Sequence, residues 1–147
     1  MTPSDTVDLL IVEDCPSDLE LTLRALQRSS VTRNIHTVQD GAEALDFIYG
    51  RGPYAQRAAA QPPKLILLDL KLPKVDGMEV LRQLKADERT RSIPVVMLTS
   101  SQQEKDVVHS YRLGVNSYIV KPVSFSKFAE SIQQLGLYWL TLNQSAH

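Results

Sequence analysis

An α/β protein built on one parallel sheet, with helices on both faces, is the fold class this sequence predicts. Two observations carry that expectation. Apolar runs of strand length alternate five times with segments of helical spacing. Two of the runs, Leu9–Val12 and Leu65–Leu68, are apolar without alternation, which is the pattern of strands buried on both faces.

Taken in order, Leu9-Leu10-Ile11-Val12 forms the first strand. Pro16 stands where a helix starts, and Leu19, Leu23 and Leu26 recur behind it at i, i+4, i+7. Ile35-His36-Thr37-Val38 is half polar and suits an edge strand, and Leu45, Ile48 and Tyr49 after Gly41 mark the next helix. Gly50 to Pro63, "GRGPYAQRAAAQPP", reads as a surface connection and not a domain linker, because one sheet needs strands from both sides of it. Leu65–Leu68 is the third strand, followed by a helix carrying Val80, Leu81 and Leu84 after Gly77. Val95-Val96-Met97-Leu98 is the fourth, and Val107, Val108 and Tyr111 precede Gly114, a helix stop. Tyr118-Ile119-Val120 completes the sheet, and Phe125, Phe128, Ile132 and Leu135 form the last helical stripe.

The 147 residues suit one domain, 1–147, with a core of its own. A hydrophobic content of 43% with a net charge of −1 describes a soluble globular chain and lacks the basic balance of a nucleic-acid binder. One cysteine, Cys15, excludes an internal disulfide framework and suits a reducing compartment. No apolar stretch reaches membrane-span length, and Met1 to Asp8 carries acids without the basic start of a signal peptide. The expected location is the cytoplasm.

In an open parallel sheet the carboxyl ends of the strands line one edge, and ligands bind there at the switch in strand order. The first strand runs into Glu13-Asp14, the third into Asp69, the fourth into Thr99 and the fifth into Lys121. Alone, Asp69 would read as a turn or cap residue, Thr99 as a β-former and Lys121 as a solvated charge. Their convergence on one edge is what points to chemistry. Crowded carboxylates repel and take up protons unless a cation neutralises them. A few hard oxygen ligands suit Mg²⁺, and a carboxylate beside such a metal can attack phosphorus to give an acyl phosphate. Lys121 and the Thr99 hydroxyl would then stabilise phosphoryl oxygens.

"LIVEDCPSD", "LILLDLKLPKVDG", "VVMLTSS" and "YIVKPVS" resemble the receiver domains of two-component response regulators, in order and spacing, from Val7 to about Leu135. The resemblance implies a flavodoxin-like fold with strand order 2-1-3-4-5. It also implies Mg²⁺-dependent transfer of phosphate from a histidine kinase, and a signalling protein rather than an enzyme. By motif, Asp69 resembles the phosphoacceptor, Asp14 a direct Mg²⁺ ligand, Glu13 the outer acid and Lys71 a donor of its backbone carbonyl to the metal. Thr99 and Lys121 resemble the phosphoryl-contacting pair, Lys121-Pro122 a cis peptide, and Tyr118 an aromatic switch coupled to Thr99. Glu13 stands where Asp is more frequent, and Lys71 and Ser101 occupy positions that tune phosphate lifetime. The connection before the third strand, "IPVVMLTSS" and the ending "KFAESIQQLGLYWLTLN" are similar to small regulators paired with bacterial phytochromes, which implies a phytochrome kinase as partner.

Other functions fit less well. Haloacid-dehalogenase-type phosphatases also use a strand-end Asp, a Thr and a Lys, but need an acid two residues after the nucleophile, where this chain has Lys71. A flavodoxin would want a hydroxyl-rich phosphate loop in place of "EDCPSD", and a pseudo-receiver would lack Asp69, Thr99 or Lys121. His36, His109 and His147 show no metal-ligand spacing, and Cys15 reads as a bystander.

The end of the chain carries a reading of its own. The final helix, extended to about Leu142, continues its apolar residues past Leu135 through Leu137, Tyr138, Trp139 and Leu140. At about 100° per residue these fall on a second face, more than a small domain can cover alone. A two-fold homodimer with Tyr138 and Trp139 as aromatic anchors is expected. Sedimentation should show a wild-type dimer at tens of micromolar and a monomer for the Leu137→Glu, Leu140→Glu double variant. A monomeric wild type would contradict it.

Overall fold

The computed structural model describes residues 7–28, 34–57, 62–99 and 112–134. Five parallel strands, β1 (Leu9–Val12), β2 (Ile35–Val38), β3 (Leu65–Asp69), β4 (Val95–Thr99) and β5 (Ser117–Val120), form one sheet in the order β2-β1-β3-β4-β5. This is the doubly wound, flavodoxin-like arrangement, with its reversal of strand order between β1 and β3. Four helices are described: α1 (Pro16–Arg28), α2 (Gly41–Tyr49), α3 (Gly77–Ala86) and α4 (Phe125–Gln134). The segment holding Val107, Val108, Tyr111 and Ser101, and the C-terminal stretch with Leu135, Leu137, Tyr138, Trp139, Leu140 and Leu142, lie outside the described residues.

Alternation along the strands builds two cores. Leu10 and Val12 of β1, Ile66 and Leu68 of β3, and Val95 and Met97 of β4 face α2 and α3, where they meet Ala44, Phe47, Val80, Leu81 and Leu84. Leu9, Ile11, Leu65, Leu67, Val96, Leu98 and Ile119 face the other way onto Ala25 and Leu26 of α1 and Phe128 of α4. Each side chain of β1, and each of Leu65 to Leu68, is fully buried. With no solvated face, the central strands have no reason to alternate polarity. Of the four residues expected to form the final stripe, Phe128 is fully buried. Leu135 and the side chains of Phe125 and Ile132 lie outside the described residues.

The Gly50–Pro63 connection is more than surface chain. Gly52–Arg57 forms a 3-10 helix, kinked at Tyr54, that lies against α2. Tyr54 packs edge-on against Phe47 and against His36 of the edge strand, and His36 stacks on Phe47 with centroids 4.3 Å apart. The Tyr54 hydroxyl donates to Glu43 at 2.7 Å, and the Arg57 guanidinium lies 3.8 Å from the Phe47 ring centroid. Aromatic packing of this sort favours offset and edge contacts, and it ties down a segment whose composition alone reads as loop.

Asp40 and Asp76 cap α2 and α3, each accepting a hydrogen bond from the backbone N–H three residues on. The glycine following each cap is a matter of space. A Cβ at Gly41 would lie 1.8 Å from the carbonyl oxygen of Val75, and one at Gly77 would lie 2.0 Å from that of Asp69. The loop after β3 is thus pressed onto the first turns of two helices, and the Gly41 N–H donates to the Pro73 carbonyl at 3.4 Å. Gly41→Ala should cost about 1–3 kcal/mol through overpacking and lower Tm by several degrees in thermal unfolding. An unchanged Tm would show that the loop yields freely.

Candidate functional site

The parallel register brings the predicted residues to one edge. Val12 of β1 lies opposite Leu68 of β3, so Glu13 and Asp69 emerge side by side from the two central strands. Thr99, the last residue of β4, lies opposite Val120, one residue before Lys121. Glu13 is 1% exposed and Asp69 5%, so two carboxylates sit almost wholly out of water, which an apolar site alone does not tolerate. The Lys121 ammonium answers them. Its Nζ lies 2.8 Å from Asp69 Oδ2 and 2.6 Å from Glu13 Oε1. Burial by itself would lower the Lys121 pKa, but its contacts with Asp69, Glu13 and Asp18 outweigh burial and hold it above the ordinary lysine value. The lysine therefore stays charged at any physiological pH.

The second oxygen of Asp69, Oδ1, accepts from the backbone N–H of Lys71 at 3.3 Å. Glu13 Oε2 accepts from the Cys15 N–H at 3.2 Å. The other Glu13 oxygen, Oε1, meets Lys121 as an ion pair without hydrogen-bond geometry and is left buried with no hydrogen-bond partner. That oxygen keeps acceptor capacity for a further hard cation or its water. One ligand atom each from Glu13, Asp14 and Asp69 lie within 4.8 Å of one another. These hard oxygens, close enough to share one ion, fit Mg²⁺. Asp14 is exposed and borders an open cleft with Lys71, Pro73, Asp76 and Met78, so the acid cluster opens to solvent there.

Lys71 is exposed two residues past the end of β3, and Tyr118 on β5 is partly buried against the core on the α2 and α3 side. The Lys121–Pro122 peptide is cis. The Thr99 side chain lies outside the described residues, so its distance to Tyr118 does too. One contact escaped the sequence reading: Asp18, in the first turn of α1, accepts a hydrogen bond from Lys121 Nζ at 3.0 Å. An acid in a helix's first turn ordinarily reads as a partner for the helix dipole. Only the tertiary position of α1 aims this one at the site.

Residues 9–133 match the model of the response regulator receiver domain. The chain belongs to the response regulator receiver family. The solved structure of the bacteriophytochrome response regulator RtBRR is similar at 54% identity and a TM-score of 0.84, over 94% of this chain and 82% of that one. Response regulator Rcp1, known from Synechocystis, has a crystal structure in a Mn(2+)-bound form with 37% identity and a TM-score of 0.74, over 91% and 94% of the two chains. The probable methanogenesis regulatory protein FilR2 of Methanothrix harundinacea is 40% identical over 141 residues, 96% of this chain and 88% of its own. Receivers are signalling proteins that work with histidine kinases and bind divalent metal at an acidic pocket, and phytochrome-associated regulators are among this chain's relatives. No helix of the described residues is long and apolar enough to cross a membrane.

Burial, and then the nearness of Asp69, raises the Glu13 carboxyl from its ordinary value of 4.5 to about 7. Between about pH 4.5 and 7 the metal-free receiver therefore holds a proton at Glu13 that the unfolded chain releases. This proton stabilises the fold fully below the unfolded pKa, and the contribution is lost as pH rises through about 7. A cation requires the ionised form, so stabilisation by saturating Mg²⁺, read as the rise in Tm, should grow from about pH 6 to about pH 8. Glu13→Gln should flatten that growth. A Mg²⁺ effect equal at both pH values in the wild type would contradict the assignment.

Proposed function

We propose that this receiver accepts a phosphoryl group on Asp69 from a phytochrome-type histidine kinase in the cytoplasm, and passes the signal on through protein contacts. The observation that carries the proposal is the Asp69 carboxylate itself. It is nearly enclosed at the carboxyl end of a central strand, its Oδ2 is held 2.8 Å from the Lys121 ammonium, and a metal-compatible acid cluster lies beside it. The similarity to RtBRR supports a phytochrome-type donor.

In the transfer, a carboxylate oxygen of Asp69 forms the O–P bond as the P–N bond of the kinase phosphohistidine breaks, and the electron pair of that bond returns to the imidazole nitrogen. Lys121 contacts the phosphoryl oxygens as charge builds on them, at little cost in reorganisation because it already stands at the site. The backbone N–H of Lys71, bonded to Asp69 Oδ1, keeps the carboxylate aimed. Asp14, Asp69 and the Lys71 carbonyl would hold Mg²⁺ directly, and Glu13 would act through water. When bound, Mg²⁺ supplies the positive charge that neutralises the carboxylates and the phosphoryl oxygens together. Thr99 would then engage the phosphoryl group and draw Tyr118 inward, changing the surface that a partner reads, with Leu137, Tyr138, Trp139 and Leu140 joining a second copy. Lys71, exposed where a phosphatase would need an acid, argues against turnover of external substrates.

Asp69→Asn should fold like the wild type and take no label from a phosphorylated kinase, because the amide cannot form the acyl phosphate. Labelling of this variant at the wild-type level would overturn the assignment.

A further inference from the structure

Lys121 carries three N–H donors, and three acids surround it: Asp69, Glu13 and Asp18. They are not equivalent. The Glu13 and Asp69 side chains are 1% and 7% exposed, whereas that of Asp18 is 38% exposed and comes from α1, which contributes neither the nucleophile nor an acid of the metal-compatible cluster. Asp18 and Asp69 share one ammonium, so their carboxylates lie within two hydrogen-bond lengths of each other. The partly exposed Asp18 charge therefore acts across that short distance on a phosphoryl group that reaches Asp69.

We propose that Asp18 is a specificity-determining residue that lowers the reactivity of Asp69 towards small, freely diffusing anionic phosphoryl donors. This inference rests on the reading of Asp69 as phosphoacceptor. Two effects act in the same direction. The Asp18 charge repels an incoming anion at a partly exposed position, where water and salt screen it only in part. Asp18 also occupies one of the three Lys121 donors that would otherwise be available to a phosphoryl oxygen. A kinase phosphohistidine arrives within a docked protein complex, whose contacts offset the repulsion; a small molecule brings no such contacts. The residue thus acts through Lys121 and through its own field, and takes no part in bond making.

The test measures phosphorylation rates in Mg²⁺ by phosphate-affinity gel electrophoresis, using dianionic acetyl phosphate and monoanionic phosphoramidate. Asp18→Asn keeps an acceptor for Lys121 and removes the charge, and Asp18→Glu restores the charge. Asp18→Asn should react with acetyl phosphate about fivefold faster than the wild type at low salt. The gain should be smaller with phosphoramidate and should shrink at high salt, and Asp18→Glu should return towards the wild-type rate. A merely structural role would not make the effect depend on donor charge or ionic strength. If Asp18→Asn is no faster than wild type with acetyl phosphate, or gains equally with both donors at every salt concentration, the inference fails while the phosphoacceptor reading stands. If the wild type takes up phosphate from neither donor nor a phosphorylated kinase, the phosphoacceptor reading fails and this inference falls with it.

Discussion

Glu13 and Asp69 lie side by side at the carboxyl ends of the two central strands, almost entirely out of water, and the Lys121 ammonium within 2.8 Å of both makes their burial tolerable. Removing one member of a buried charge set leaves the others uncompensated, and this costs more than the set contributes when whole. The arrangement is therefore demanding. It needs β1, β3 and β5 in register and the turn after β5 to deliver Lys121 to the same few ångströms. Even then one Glu13 oxygen has no hydrogen bond. A fold assembled for stability alone would place apolar groups there, so the residual imbalance is an argument that the edge is kept for a cation and a phosphoryl group.

The scaffold holds that edge from two sides. The loop after β3 is pressed against the first turns of α2 and α3, where Gly41 and Gly77 leave room for its backbone and for no Cβ. Lys74 in this loop takes the left-handed conformation, φ 67°, with its ammonium 3.6 Å from the Asp40 side chain that caps α2. On the far flank, the aromatic cluster of His36, Phe47 and Tyr54 joins the edge strand to α2 and the 3-10 helix. A shift in the loop after β3 would therefore be felt by α2 as well as by α3, since packed backbone has few intermediate positions to occupy.

Charge balance at the site is graded by depth. The deepest acid, Glu13, is held up to about 7, chiefly by its burial, so without a cation it takes up a proton below about pH 7. Asp69 is buried against the ammonium, Asp14 stands in the open cleft, and Asp18 stands at the rim on the lysine's other side. The local charges thus differ in their surroundings: Glu13 and Asp69 are enclosed against the ammonium, while Asp18 stands partly in solvent.

Much of this was legible in the sequence because it follows from local pattern. Unalternating runs such as Leu65–Leu68 identify strands covered on both faces, and a charge directly after such a run has to stand at the sheet edge. From that rule Glu13, Asp69 and Lys121 could be placed together without coordinates, and the motif order identified the family. The 3-10 helix at Gly52–Arg57 was not legible, because what holds it is the contact of Tyr54 with Phe47 and His36, residues brought together by the sheet and not by spacing along the chain. Nor was Asp18. Helical periodicity tells which residues share a face of α1, but not how far that helix is rotated and tilted against the sheet. Packing against Leu9, Ile11 and Phe128 decides that, and with it whether a first-turn acid serves only its own helix or reaches the site lysine.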